Sequence, residues 1–272
     1  MIYVKSTDAY ANIPSHLIWY LTTGQGIFET LLYDEVTLWF WERHALRLDK
    51  ALKFFNVKFD SKTMWSNLLD YCKQNYVESR LRIKVAVLFP LNVYTKEVHL
   101  DDVLVQIEEM DKEAALPESI TLQLQPSPFS ADNKLTSIKT INYGYNLFGF
   151  ALANNEQFGD VLFCNTNGFI LETSRANIFG IREGQIFTPE LQNGMLPGTV
   201  RSILLDEMDV TEIKIHIAHL AEFDCFFLTG AVREILPVES INDHTYQMPC
   251  PKIKEIGRKW ESIKMDYRRK SS

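Results

Sequence analysis

The run Leu171-Glu172-Thr173-Ser174-Arg175-Ala176-Asn177-Ile178-Phe179, followed by Gly194-Met195-Leu196-Pro197-Gly198-Thr199-Val200-Arg201, decides how this chain is read. The first part closes an apolar strand, Phe169 to Glu172, on a carboxylate. The second is a Pro-Gly turn that leads into a helix running from about Thr199 to Met208. The first backbone amides of such a helix have no partner inside it and can take an anion. Upstream stands Ile138-Lys139-Thr140-Ile141-Asn142-Tyr143, a lysine between polar and aromatic neighbours. Each piece alone has an ordinary explanation: a surface lysine, an exposed strand-end acid, a turn before a helix.

Working outward, the pattern alternates between two periods. Gly26–Leu32 and Val36–Trp41 are β-rich runs around the polar turn Tyr33-Asp34-Glu35, which predicts a hairpin. From Glu42 to Phe55 the period becomes helical, with Leu46, Leu48, Ala51, Leu52 and Phe55 as the apolar positions. A second helix is expected from Ser61 to Gln74. Strands follow at Leu81–Phe89, where Leu81, Ile83, Val85 and Val87 alternate with Arg82 and Lys84, and at Asp102–Glu108. Charged, Pro-containing Asp111–Ser119 has neither period and predicts a linker. Beyond it come a strand (Ile120–Gln125), a helix carrying Ala151 and Ala153, and short strands at Asp160–Cys164, Phe169–Glu172, Ala176–Ile181 and Gln185–Phe187. The alternation at Ile213–Ile217 predicts another strand, Ala218–Phe223 a short helix, Cys225–Thr229 a strand, and Pro251–Tyr267 the last helix. Strands and helices that alternate, with antiparallel hairpins, imply an α/β (α+β) fold in two domains. The boundaries read as 1–112, a linker at 113–118, and 119–272.

Composition excludes several functions. Net charge is −7, so a basic nucleic-acid footprint is not expected. No apolar run approaches the ~20 residues that span a bilayer. Cys72, Cys164, Cys225 and Cys250 form no C-x-x-C pair, and the start lacks an apolar secretory region, so reduced thiols in a cytoplasmic protein are expected. No G-x-G-x-x-G opens a helix, which argues against a dinucleotide site. No G-x-S-x-G supports a serine hydrolase. His216, His219 and Glu222 are spaced three apart, but a strand through Ile217 would keep them off one helix face, so no metal site is expected.

A lysine that can form a Schiff base, an acid that can keep a pyridine nitrogen protonated, and a helix start that can take a phosphate are what pyridoxal 5′-phosphate (PLP) requires. In this order the set resembles the class IV (fold-type IV) aminotransferases. That family includes branched-chain and D-amino acid aminotransferases and 4-amino-4-deoxychorismate lyase. The resemblance covers about Gly24 to Val238. It implies a two-domain, D-amino acid aminotransferase-like fold, a small N-terminal α/β domain followed by a larger PLP-binding one, and a homodimer.

Residue by residue, the resemblance makes Lys139 the Schiff-base lysine and the catalytic base, and Tyr143 a neighbour of the cofactor's phenolic oxygen. Glu172, in an E-x-[ST]-x-x-N pattern, would pair with the ring nitrogen. Ser174 would lie near the phosphate, and Asn177 would shape the turn. Leu196 would pack on the ring face, and Gly198 with the amides of Thr199 and Val200 would bind phosphate. Arg47, in Arg43-His44-Ala45-Leu46-Arg47-Leu48, matches the H-x-x-R-L helix whose arginine reaches the same phosphate. Gly24-Gln25-Gly26-Ile27-Phe28-Glu29 matches a segment bordering the substrate, with Gln25 where Asp is common. Phe28, Tyr94, Lys96, Gly230 and Ala231 are the substrate-side candidates.

Two departures bear on the reaction. Ala231 stands where the family's transaminases place a phosphate-binding Thr, and lyases can carry Ala there. The loop Phe89–Lys96 lacks the arginine that D-amino acid aminotransferases and lyases use for the carboxylate, offering Tyr94 and Lys96 instead. Ala231, with the compact length of the chain, points to a lyase releasing pyruvate and p-aminobenzoate from 4-amino-4-deoxychorismate, while the missing loop arginine leaves the identity of the substrate open. The alternatives are a class IV aminotransferase and a non-catalytic PLP-binding protein.

Overall fold

A computed structural model describes residues 1–5, 13–91, 96–111, 117–127 and 133–271. The chain divides into two compact units. The first holds Met1–Ala114 together with Ile138–Asn142 and Tyr267–Ser272; the second holds Ala115–Ser137 and Tyr143–Asp266. The contiguous boundaries expected from the sequence do not contain the two later segments that join the first unit.

In the first unit, strands β1 (Ile2–Lys5), β2 (Gly26–Asp34), β3 (Thr37–Leu38), β5 (Arg80–Leu88) and β7 (Val103–Met110) form a sheet in the order β1-β7-β5-β2-β3. Two-residue β4 (Val57–Lys58) and β6 (Lys96–Glu97) pair separately. The helices are α1 (Ser15–Thr22), α2 (Trp41–Phe54) and α3 (Ser61–Asn75). β2 and β5 run antiparallel from Gly26↔Leu88 to Asp34↔Arg80. Because side chains alternate along a strand, Ile27, Leu31, Ile83, Val85 and Val87 share one face with Glu29. That face packs with Leu48, Ala51 and Leu52 of α2 and Met64, Trp65 and Leu68 of α3. Phe28, Thr30, Lys84 and Ala86 point the other way.

The hairpin is shorter than its β-rich composition suggests. Phe40 takes a left-handed conformation (φ 53°) and caps α2, so β3 ends at Leu38 and Trp41 is already helical. The inward face of α2 also differs from expectation. Leu46 is exposed, while His44 is buried with Leu48, Ala51 and Leu52. α1 was not legible, being eight residues long with Pro14 before it and no side-chain cap.

In the second unit the elements are β8 (Ile120–Pro126), α4 (Gly144–Asn155), β9 (Asp160–Cys164), β10 (Ile170–Thr173), β11 (Asn177–Arg182), β12 (Gln185–Pro189), α5 (Thr199–Glu207), β13 (Val210–Ile213), β14 (Cys225–Gly230), β15 (Glu234–Ile241), β16 (His244–Thr245) and α6 (Pro251–Ser271), whose last residues belong to the first unit. The sheet order is β10-β9-β8-β15-β14-β11-β12-β13, with β16 on β15. β10 also pairs with β11, so the first six strands of that order close into a ring. α4 lays Ala153 on Val161, Phe163 and Leu171.

β15 is an inner strand that contains Pro237, a residue normally kept to edges. Its parallel ladder to β8 begins only at Val238↔Ile120, so the missing N–H falls before that ladder starts. The expected strand at Ile213–Ile217 is instead β13, ending at Ile213, with a single bridge Phe169↔His216 after it. The expectation of four reduced thiols is also corrected. Cys225 and Cys250 are joined in a disulfide, while Cys72 and Cys164 are free. None of the described helices is long and apolar enough to cross a membrane.

Candidate active site

The predicted residues fall into two groups, one in each unit. In the first unit, β3 pairs only with Tyr33 and Asp34, which leaves the Gly26–Phe28 edge of β2 open. Residues 139–141 fill it. Phe28 N–H donates to the Lys139 carbonyl (2.8 Å), Ile141 N–H donates to the Gly26 carbonyl (3.0 Å), and Thr140 bridges Ile27. Gly26 is required at this point: its φ is +155°, and a Cβ would lie 2.7 Å from the Val87 carbonyl.

The Lys139 ammonium lies 4.5 Å from the centre of the buried Phe28 ring. A second ammonium, that of Lys84 on β5, lies 4.4 Å from the same ring. Burial, with a smaller push from the Arg82 charge, lowers the Lys84 pKa. Sequence reasoning missed Lys84; the signal was a lysine on the alternate face of β5, followed on that face by apolar Ala86 and Leu88. Tyr94 lies outside the described residues. Lys96 is in β6.

Behind Phe28, on the core face, the Glu29 carboxylate is 1% exposed. Arg47 meets it side-on, Nε donating to Oε1 (2.8 Å) and Nη2 to Oε2 (2.5 Å). His44 Nδ1 lies 2.7 Å from Oε2. Burial pushes the Glu29 pKa up, but the Arg47 charge and the hydrogen bonds of Arg47 and His44 outweigh it and hold the value at about 2. Burial lowers the His44 pKa, which Glu29 opposes and the charges of Arg47 and Lys139 reinforce. An ionised carboxylate only accepts, so neutral His44 donates from Nδ1. Since the Glu29 pKa is lowered in the fold, the pair contributes stability above the usual carboxylate range and loses it as the pH falls towards about 2.

In the second unit, Glu172 pairs with Asn177 across the β10–β11 turn. Its Oε1 accepts from the Leu196 N–H (3.0 Å) and its Oε2 from Asn177 Nδ2 (3.0 Å), which also donates to the Leu196 carbonyl (2.9 Å). The acid, the asparagine and the loop before α5 are thus one network. Gly198 caps α5, and a Cβ there would overlap Asn177 Oδ1. Thr199 and Val200, both buried, open the helix. Arg201 is buried and donates to the Pro189 carbonyl (2.9 Å) and to Glu212, which ties α5 to β12 and β13.

Two side chains have partners other than those expected. Ser174 Oγ donates to Asp160 Oδ1 (2.5 Å), so its one proton is committed to bracing β9 rather than offered to an anion. The Tyr143 hydroxyl donates to the Ser174 carbonyl, which Asn146 Nδ2 also reaches (3.0 Å). Gly230 ends β14, and Ala231 lies in the turn to β15. Thr229, opposite Asn177, has a buried Oγ1 without a hydrogen-bond partner among the described residues.

The Gly198 contact gives a test of this network. Gly198→Ala should displace the Asn177 amide and, through it, Glu172. The expected cost is about 1–3 kcal/mol of stability, with a fall in turnover at saturating cofactor. Urea denaturation and kcat together check it; an unchanged midpoint with unchanged kcat would remove Asn177 from the account.

Comparison with known proteins gives the family and the fold. Residues 26–241 match the family model described as amino-transferase class IV. A probable branched-chain-amino-acid aminotransferase of Synechocystis sp. is 26% identical over 89% of this chain and 84% of its own length. The aminodeoxychorismate lyase of Bacillus subtilis is 24% identical over 90% of this chain and 86% of its own. Among solved structures, a putative 4-amino-4-deoxychorismate lyase from Legionella pneumophila superposes with a TM-score of 0.76 at 20% identity, covering 98% of this chain and 100% of that one.

Proposed function

The chain belongs to the class IV aminotransferase family, whose cofactor is PLP, and from that premise we propose that it is a lyase acting on 4-amino-4-deoxychorismate to release pyruvate and p-aminobenzoate. The residues fit the cofactor. Gly198 leaves room for the Asn177 side chain at the start of α5, and the Glu172 carboxylate accepts hydrogen bonds from that side chain and from the Leu196 amide. An arginine and a helix start suit a phosphate dianion.

PLP supplies an electron sink for charge that develops at the substrate carbon. In this reading Lys139 takes and returns the proton at that carbon. Its position is fixed by backbone bonds to β2, so the side chain alone has to move. Glu172 holds a proton on the ring nitrogen, and its bonds to Leu196 and Asn177 keep it from turning away. Arg47 and the Thr199 and Val200 amides bind the phosphate; Ser174, engaged by Asp160, is left out of that set. Leu196 supports the ring, Tyr143 borders it, and Phe28 and Gly230 line the substrate side. Lys96, and Tyr94 outside the described residues, remain candidates for the substrate carboxylate.

The observation that carries the choice of reaction is Ala231, which offers no hydroxyl where the family's transaminases use one. The match to the Bacillus subtilis lyase over most of both chains supports it. The Synechocystis match supports a second reading, amino transfer to a keto acid. A homodimer in the cytoplasm belongs to the same proposal. The Cys225–Cys250 bond would be unusual there, though both cysteines are buried away from exchange partners.

Incubation with 4-amino-4-deoxychorismate, followed by p-aminobenzoate fluorescence, tests the lyase. Stoichiometric pyruvate and p-aminobenzoate are expected, with poor transamination of D-alanine. Keto-acid-dependent turnover of an L-amino acid, with no p-aminobenzoate, would establish the second reading in its place.

A further inference from the structure

Glu29 is an unusual residue to find on the core face of β2. Its strand neighbours on that face, Ile27 and Leu31, are buried apolar side chains, as is Val85 directly across on β5. A carboxylate taken out of water there is costly unless it is paired and hydrogen-bonded. It is both. The side-on contact with Arg47 uses Nε and Nη2 together, and the His44 Nδ1–H fills a further lone pair of Oε2. His44 and Arg47 are three apart on α2, so one helical turn presents both to a single carboxylate. A planar guanidinium gripped along one edge loses its freedom to rotate about its long side chain.

Resting on the phosphate role of Arg47 given above, we propose that Glu29, clamped by His44, is a positioning residue that fixes the Arg47 guanidinium for the cofactor's phosphate. Two effects of Glu29 oppose each other. Its negative charge offsets that of Arg47 and repels a phosphate dianion, so charge alone predicts that removing it tightens phosphate binding. Its grip orients the donor fork, so positioning predicts that removing it weakens phosphate binding. Burial decides between them. A guanidinium at 12% side-chain exposure that is released from a buried partner must find another, and the phosphate then has to recapture it at an entropic cost.

The test compares affinities for PLP and for pyridoxal, which lacks the phosphate, in apoenzyme prepared by dialysing the holoenzyme. A general loss of structure lowers both affinities; loss of positioning lowers their ratio. Arg47→Ala should reduce the ratio by about ten- to a hundredfold, and Glu29→Gln by about tenfold. The double variant Glu29→Gln/Arg47→Ala should be no worse than Arg47→Ala alone, since Glu29 acts through Arg47.

If Arg47→Ala leaves the ratio unchanged, the phosphate assignment itself is wrong. If Arg47→Ala lowers it but Glu29→Gln leaves it unchanged or raises it, the assignment stands and the positioning role is overturned. Should Glu29→Gln not fold, His44 decides. His44→Asn keeps a donor near the Nδ1 position and should retain the ratio, whereas His44→Leu should lower it. Equal ratios in the two His44 variants would overturn the proposal.

Discussion

Lys139→Ala is expected to fold, to keep binding PLP without a covalent link, and to lose turnover by about a thousandfold or more, given that a positioned acid–base group contributes ~10²–10⁴ and the covalent attachment is lost as well. The expectation that it folds rests on how the segment is held. The bonds from Phe28 to the Lys139 carbonyl and from Ile141 to the Gly26 carbonyl are backbone bonds, which alanine retains. What is lost is an ammonium over the Phe28 ring, a contact worth about 0.5–1 kcal/mol at a partly exposed site. The direct assignment comes from borohydride reduction of the wild-type holoenzyme and peptide mapping. The informative competitor is Lys84, whose ammonium lies as close to the same ring. A pyridoxyl label on Lys84 and none on Lys139 would transfer the role to β5.

Much of this layout was legible because it depends on local patterns. The alternation in Leu81–Val87 identified β5 and its core face, and the E-x-S-x-x-N run placed Glu172 and Asn177 at one turn, where they pair directly. What stayed hidden depends on contacts between distant residues. Nothing near Ser174 in sequence announces that Asp160 will take its proton, because the contact exists only once β9 and β10 pair. His44 looks like a surface helix residue until Glu29 is placed beneath it, at which point the helical face shifts and Leu46 turns out to solvent. Pro237 disguised β15, since a proline argues against an inner strand until the late start of its parallel ladder is known. The segment 138–142 follows the first unit for a similar reason: the short β3 leaves an edge of β2 that a distant stretch of chain fills.

Glu172→Gln is expected to lower kcat by about a hundredfold or more while PLP still binds, since the electron sink depends on a protonated ring nitrogen that a neutral amide does not hold. The structure adds a second cost. Both carboxylate oxygens accept hydrogen bonds, one from the Leu196 amide and one from Asn177 Nδ2. Glutamine must turn its own NH2 towards one of those donors. Asn177 cannot answer by flipping its amide without giving up the bond from Nδ2 to the Leu196 carbonyl, so one half-buried donor loses its partner, at a cost of about 1 kcal/mol. Loss of charge and loss of network are separable. Glu172→Asp keeps the charge but shortens the reach, so it should also disturb the Leu196 and Asn177 bonds yet retain far more activity than Glu172→Gln. Thermal unfolding reports the network and kcat at saturating PLP reports the charge. Equal kcat in the two variants would mean that the loop geometry, and not the carboxylate's charge, is what turnover requires.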